Sequence, residues 1–303
     1  MRRHSPTDSI PDDARGAAIA LGNFDGVHRG HQAVIASAHV RGAHLGVALF
    51  CPHPRRFFQP GAPPFRLQTD AQRARTLAAL GVKDLFEIAF DADLAKRSDE
   101  EFAQELLQDR LGVAHVSVGA DYRFGRGRMG DAARLRELGP AYGFSVDAVE
   151  AVKGEDERYS STSARSAIAQ GDMDKATAIL SRPWAIEGLV QRGFQRGRGF
   201  GFATANVPLG EYTRPRLGIY AVRVNIDGDS LPGVASIGVN PTVGALPEPL
   251  LEAHVFDFDT DLYGKAIEVE MIAFLRDEAH FSNVEALKVQ MAGDAAKARA
   301  ILA

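Results

Sequence analysis

Two clusters of residues in this 303-residue chain could do chemistry on phosphates. The first is "LGNFDGVHRGHQ" (Leu21–Gln32), directly after the first apolar run. Gly22 and Gly26 let the backbone approach a ligand closely. His28 and His31, three residues apart, project to one side at the start of an expected helix. Unpaired amides and the helix dipole favour an anion there. The spacing also suits a pair of metal ligands, but no cysteine or third clustered histidine completes a tetrahedral set. A plain glycine-rich turn is the remaining reading of these residues alone. The second cluster is "RGFQRGRGFGFATANVPL" (Arg192–Leu209). Gly193, Gly197, Gly199 and Gly201 precede Thr204 and Asn206. No Gly-Lys-Ser/Thr follows, so this is not a Walker loop, yet backbone amides can still wrap phosphates. In an extended segment Thr204 and Asn206 face the same way. Their neutral oxygens could hold a hydrated Mg²⁺ beside substrate phosphates. By itself the segment also reads as a glycine-rich hairpin with exposed polar residues.

The first cluster needs a strand before it and a helix after it, and the pattern supplies both. Ala17–Leu21 reads as a strand and His31–Val40 as a helix with Val34, Ile35 and Ala38 on one side. The alternation continues with strands at Gly46–Phe50, Asp84–Ile88, Val113–Val118 and Phe144–Val149, and a helix at Ala71–Leu80. Ser98 and Glu101 form a capping box for a further helix. Alternating strands and helices predict a doubly wound parallel α/β sheet, which binds ligands at the carboxyl ends of its strands. After the helical "GDMDKATAIL" and a boundary near "SRPWAIEG", runs become short and alternating: Ile186–Gln191, Ile219–Asn225, Val234–Val239, Leu251–Phe256 and Ile267–Ala273. "IDGDS" carries an Asp-Gly hairpin signal. These features predict a small antiparallel β-barrel. A C-terminal helix follows from about Asn283, with Ser282 as its cap and Glu285 three on.

Length suggests about two domains. Thirty-five basic against thirty-nine acidic residues give a net charge of −4, which argues against a general nucleic-acid binder. The single cysteine, Cys51, excludes an intrachain disulfide and fits a cytosolic home. The basic start "MRRHSPTDSIPDDARG" has no apolar core and reads as a disordered tail over 1–16 rather than a secretory signal. No run approaches the roughly 20 apolar residues of a membrane helix. The expected partners are therefore small molecules, with neither nucleic acid nor membrane.

"GNFDGVHRGHQ" resembles the HxGH nucleotidyltransferase signature in the version found in the bacterial bifunctional riboflavin kinase/FAD synthetase family. Other segments are similar to that family in order: "FCPHPRRFF" (Phe50–Phe58), "VGADYRFGRGRMGD" (Val118–Asp131), "YSSTSARSAIAQGD" (Tyr159–Asp172), the glycine-rich segment ending in "TAN", "SIGVNPTVG" (Ser236–Gly244) and "LEAHVFDFDTDLYG" (Leu251–Gly264). The resemblance implies an FMN adenylyltransferase domain over 17–182 and a riboflavin kinase domain over 186–303. It implies ATP, riboflavin, FMN and FAD as substrates and products, with Mg²⁺ or another divalent ion. Gly22, Asn23, Phe24, Asp25, His28, His31, Ser161, Thr162 and Arg165 would bind the adenylyl donor, with His28, His31 and Arg165 catalytic. His53, Pro54, Asp121, Tyr122, Phe124, Arg126 and Arg128 would lie on the flavin side, because aromatic and guanidinium planes suit a flat ring system. In the kinase domain Gly193, Gly197, Arg198, Gly201, Thr204 and Asn206 would hold ATP, Thr204 and Asn206 the metal, and Glu252 would be the general base. Glu252 and His254 share one strand face, and Leu251, Ala253 and Val255 the other.

The chain departs from the family pattern at Cys51, Ser163, Ala164, Ala203, Asn240 and Val243. None removes a catalytic group named above. Two rival functions fit parts of the sequence: a nucleotidyltransferase for another phosphate acceptor with a flavin-binding barrel, and a non-catalytic flavin sensor. The metal-ligand pair beside a base argues against the first, and the retained His28, His31 and Glu252 against the second.

Overall fold

The structure is a computed structural model that describes residues 1–39, 43–154, 157–191, 204–239 and 249–303. It divides into two compact units, one of residues 1–63 and 70–160, the other of residues 64–69 and 161–303.

The first unit is built on six parallel strands: β1 (Arg2–His4), β2 (Ala18–Leu21), β3 (Leu45–Cys51), β4 (Asp84–Ala89), β5 (His115–Gly119) and β8 (Ser145–Val149), in the order β1-β4-β3-β2-β5-β8. β6 (Arg123–Phe124) and β7 (Gly130–Asp131) form a separate small hairpin. The inner strands read as nearly unbroken apolar runs because helices cover both faces of such a sheet. Alternate residues serve the two cores: Ile19, Leu21, Phe86 and Val116 on one side, Ala20, Val47, Leu49 and Leu85 on the other. β3 lies on one flank of β2 and β5 on the other, so the strand order reverses at β2. Such a switch point opens a crevice at the carboxyl end of the strands. The loop that leaves β2 there is Gly22–His28.

The N-terminus departs from expectation. Residues 1–16 were expected as a disordered tail, but Arg2–His4 forms an edge strand paired with Asp84–Phe86. The correction has a charge-based cause that no hydrophobic pattern reveals. The Asp84 side chain is fully inaccessible and accepts from His4 Nε2 at 2.7 Å and Arg2 Nε at 2.8 Å, with His44 Nε2 3.3 Å away. His4 also stacks on Phe86. Further along, Arg15 donates to the carbonyls of Gln108, Asp109 and Arg110 at the end of a π-helical stretch, Phe102–Arg110.

The second unit begins with helices Ser161–Gln170 and Met173–Leu180. Six strands follow: β9 (Trp184–Leu189), β10 (Ala205–Pro208), β11 (Gly218–Ile226), β12 (Asp229–Val239), β13 (Pro249–Val255) and β14 (Ala266–Arg276). Their order is β10-β13-β12-β11-β14-β9, and all pairs are antiparallel. Gln191 bridges to Asn206 and brings the two outer strands together, making a near-barrel. Asp227 and Gly228, both at positive φ, turn the β11–β12 hairpin, as the Asp-Gly signal predicts.

The C-terminal helix, Val284–Leu302, packs on the barrel through Ala298 and Leu302. Its cap is Asn283, whose side chain accepts from the Ala286 amide, and not Ser282 as the sequence suggests. Asparagine one position on plays the same part for the Ala286 amide in place of that of Glu285, so the motif is offset by one residue. Arg276 clamps the helix through paired contacts to Asp294, the shortest at 2.7 Å.

The sequence boundary at 183–185 is not where contacts divide the chain. The two helices that precede it pack on the barrel: Arg216 donates its amide to the Ile168 carbonyl, and Gly171 sits against the Phe274 ring. Residues 64–69 join them, as Trp184 Nε1 donates to the Leu67 carbonyl at 2.9 Å and Phe65 and Leu67 are buried.

Burial works to raise the Asp84 pKa. Hydrogen bonds from Arg2 and His4, with the charges of Arg2 and His44, outweigh it and hold the carboxyl below the usual carboxylate range. A depressed folded-state value adds stability that is present above the unfolded pKa of about 3.9 and is lost as pH falls through the folded value. Asp84→Asn should therefore lower unfolding stability by about 2–3 kcal/mol at neutral pH. The gap to the unmodified protein should close below about pH 4, as read by denaturant melts across a pH series.

Candidate functional site

The loop after β2 is shaped by left-handed backbone. Phe24 (φ 52°), Gly26 (φ 83°) and Val27 (φ 42°) all have positive φ. For Phe24 and the β-branched Val27 this conformation costs on the order of 1–3 kcal/mol each. Both side chains are almost fully buried, at 1 % and 0 % exposure, so packing holds the loop against that cost. Gln32 Nε2 donates to the Val27 carbonyl at 2.9 Å, and the Gly22 amide donates to Ala48 on β3. The loop delivers the chain to helix Arg29–Ser37 with its first-turn amides facing the crevice end of the sheet.

His28 is the N-cap of that helix. Its Nδ1 accepts from the His31 amide at 3.3 Å. With Nδ1 committed as an acceptor, the neutral ring carries its proton on Nε2, which is a donor. The His31 ring stacks on His28 with centroids 3.6 Å apart and meets Phe24 at 5.0 Å. Asp25 is buried, and the Asn23 Oδ1 is buried without a hydrogen bond from any described residue. The sequence reading passed over Gly30, between the histidines. A Cβ there would stand 3.0 Å from His28 Cε1 and 3.1 Å from both His28 Nδ1 and the Tyr159 carbonyl. Its position inside the motif was the available signal.

His53 caps the short helix Pro54–Phe58, accepting from the Arg55 amide at 3.1 Å, with Pro54 at its first position. Phe57, the exposed Phe58 and Phe90 meet one another beside it, with Phe50 behind. Cys51 is exposed. Asp121 pairs with Arg158 at 2.8 Å. Phe124 is a core side chain at 5 % exposure, packed 4.9 Å from Phe102, and Tyr122 lies half-buried against it. Burial pushes the Tyr122 phenol up. Arg126 and Arg128 are exposed at the tip of the β6–β7 hairpin.

In the second unit, Ser161 is half-buried and Thr162 exposed at the start of the first helix. Ser163 and Ala164 are buried in it. Arg165 donates from Nε to the Phe65 carbonyl at 2.6 Å and lies over the Phe65 ring. Gly193, Gly197, Arg198, Gly201, Ala203, Asn240 and Val243 lie outside the described residues.

The barrel holds the rest of the candidate kinase site. Register pairs Asn206 on β10 with Glu252 on β13, and Glu252 in turn with Ser236 on β12. Directly opposed residues share a face, so these three polar side chains form one row across three strands. Leu251, Ala253 and Val255 point to the buried interior, as the alternation predicts. Glu252 and His254 line an open cavity of about 280 Å³ between the sheet and the C-terminal helix, with Thr204, Ser236, Arg276 and Asp294 also on its wall. A smaller cavity of about 80 Å³ is bordered by Thr204, Asn206, Asp259 and Asp261. Thr204 belongs to both. Arg276, Asp294 and Ser236 come to the cavity from three separate elements, which no local motif could have announced.

Among the described residues no group of His, Cys, Asp and Glu could hold a metal ion. Asn206, 5 % exposed, and Thr204 offer hard, neutral oxygens. That donor set suits a divalent cation whose remaining ligands are phosphates and water.

Residues 10–163 match the family model for FAD synthetase, and residues 180–302 match that for riboflavin kinase. The chain belongs to the bifunctional riboflavin kinase/FMN adenylyltransferase family. A relative of that name from Pseudomonas fluorescens is 43 % identical over 97 % of this chain and 96 % of its own. Others from Escherichia coli K12 and Bacillus subtilis are 39 % and 33 % identical, covering 94 % and 95 % of this chain and 92 % and 93 % of theirs. A solved structure described as a macrolide-efflux protein from Streptococcus pneumoniae superposes with a TM-score of 0.86 at 29 % identity, over 96 % of this chain and 95 % of that one. Among the described residues, no helix is long and apolar enough to cross a membrane.

The close fit around Gly30 yields a test within this family. Gly30→Ala should displace the His28 ring and lower conversion of FMN to FAD by about 10- to 100-fold. Riboflavin phosphorylation should hold at the unmodified rate. Separating the flavins after incubation of each variant with ATP and either FMN or riboflavin reads both rates.

Proposed function

We propose that the barrel unit phosphorylates riboflavin to FMN with ATP, and that the loop after β2 serves the adenylylation of FMN to FAD. The register that sets Asn206 opposite Glu252, with Glu252 on the wall of a cavity open to a small molecule, carries this assignment. In the first reaction the terminal ribityl hydroxyl attacks the γ-phosphorus of ATP. Glu252 takes its proton, the bond from the γ-phosphorus to the bridging oxygen breaks, and ADP leaves. Thr204 and Asn206 would hold Mg²⁺ or another divalent ion, which would supply charge compensation for the transferring phosphoryl group.

In the second reaction a phosphate oxygen of FMN attacks the α-phosphorus of ATP, and pyrophosphate leaves. The nucleophile is already anionic, so positioning and charge stabilisation matter more than a base. The His28 Nε2–H and the amides of the loop and first helical turn are fixed before the substrate arrives. His31, stacked on His28, holds that ring and adds a second imidazole. Ser161, Thr162 and Arg165 as nucleotide contacts, and His53, Pro54, Asp121, Tyr122, Arg126 and Arg128 as flavin contacts, rest on family resemblance. Phe124 is better assigned to the core that supports Tyr122. The single exposed cysteine accords with a cytosolic protein.

Incubation with riboflavin, ATP and Mg²⁺ should give FMN and then FAD over many turnovers. Glu252→Gln should lower riboflavin phosphorylation by about 100-fold or more and leave FMN adenylylation intact. His31→Ala should do the reverse. A Glu252→Gln protein that still makes FMN at the unmodified rate overturns the base assignment.

A further inference from the structure

Register fixes more of the kinase site than its base. The row of side chains runs Asn206, Glu252, Ser236 across β10, β13 and β12. Thr204 and Asn206 lie on one side of Glu252, where the phosphates would be held. The acceptor's attacking hydroxyl must sit at Glu252, so the rest of its polyol chain leads away from the phosphates. Along this row that direction is toward β12, and the next side chain met is Ser236. Neighbouring strands are about 4.8 Å apart. One strand spacing beyond Glu252 brings Ser236 level with the hydroxyl adjacent to the reacting one.

The state of Ser236 fits this use. It is half-buried and lines the same cavity as Glu252. Its hydroxyl bonds no described residue, unlike those of Ser145 and Ser117, which pair with the two ring nitrogens of His115, and of Ser37, which accepts from Ser117. A serine hydroxyl can both donate and accept, which matches a polyol whose hydroxyls do the same. An apolar residue would satisfy the strand pattern here equally well. We propose that Ser236 is a substrate-binding residue of the kinase reaction, hydrogen-bonding the ribityl hydroxyl next to the one phosphorylated and so selecting a polyol chain. This rests on the assignment of Glu252 as the base.

The test pairs two substrates with three variants, measuring kcat/KM for phosphorylation. The substrates are riboflavin and its 4′-deoxy analogue, which lacks that adjacent hydroxyl. The unmodified protein should favour riboflavin by about five- to tenfold, the size of one such hydrogen bond. Ser236→Ala should lose about that factor on riboflavin and nothing further on the analogue. Ser236→Thr, which keeps the hydroxyl on a strand-compatible side chain, should restore the preference. Equal losses on both substrates, or an unmodified protein that does not discriminate, would overturn the proposal. Glu252→Gln separates the two levels. If it abolishes phosphorylation while Ser236→Ala leaves the preference intact, only the role of Ser236 falls. If it keeps full turnover, the base assignment falls and the role of Ser236 with it.

Discussion

The backbone between β2 and its helix is held against its own preference. Phe24 and Val27 would relax out of the left-handed region if their side chains could leave the core, and they cannot, because both are sealed beneath the helix. That trade of backbone strain for burial decides where the amides of the first helical turn end up and where His28 caps them. It also sets which nitrogen of His28 carries the proton. A candidate anion cradle assembled this way would need little reorganisation when charge arrives, the condition under which fixed dipoles are most effective.

Much of this was legible in the residues. Strands buried on both faces are mostly apolar, so β2 and β3 announce themselves, β4 and β5 do so around Asp84, Glu87, His115 and Ser117, and their alternation with helices implies a parallel sheet. The barrel strands show the opposite texture, with Leu251, Ala253 and Val255 inward and Glu252 and His254 on the other face. What stayed hidden depends on distant partners. Arg2–His4 is polar and short, and becomes a strand only because Asp84, eighty residues away, is buried beside it. Phe65 and Leu67 belong to no periodic run, and their burial comes from distant partners such as Trp184, whose indole donates to the Leu67 carbonyl. Asn283 and Ser282 are both good caps, and a one-residue choice between them is beyond what a pattern can decide.

The candidate kinase site was legible in kind and not in layout. "TAN" and the glutamate of "LEAH" stand out as polar residues in extended segments, but nothing local says that they are neighbours. Antiparallel register does so, by setting Asn206 opposite Glu252 and Glu252 opposite Ser236. Glu252 and Ser236 share a cavity bounded on its far side by the C-terminal helix, which Arg276 on β14 grips through Asp294. Asp294 is nearly inaccessible, so removing Arg276 would leave its carboxylate buried without its cationic partner, which costs more than never having had the pair. The wall of this candidate acceptor pocket therefore leans in part on electrostatics that lie outside the proposed phosphoryl transfer.

Neither unit is a continuous piece of polypeptide. Residues 64–69 leave the first unit, lie down in the second and return, so the covalent chain passes between the two three times. A simple cut cannot separate the halves cleanly: any fragment that keeps the sheet intact also carries off a strip of the barrel unit's packing. The chain has one tryptophan, and its indole N–H is anchored to that strip. Its native emission therefore gives a label-free optical report of whether the strip is seated, in the whole protein and in any dissected version of it.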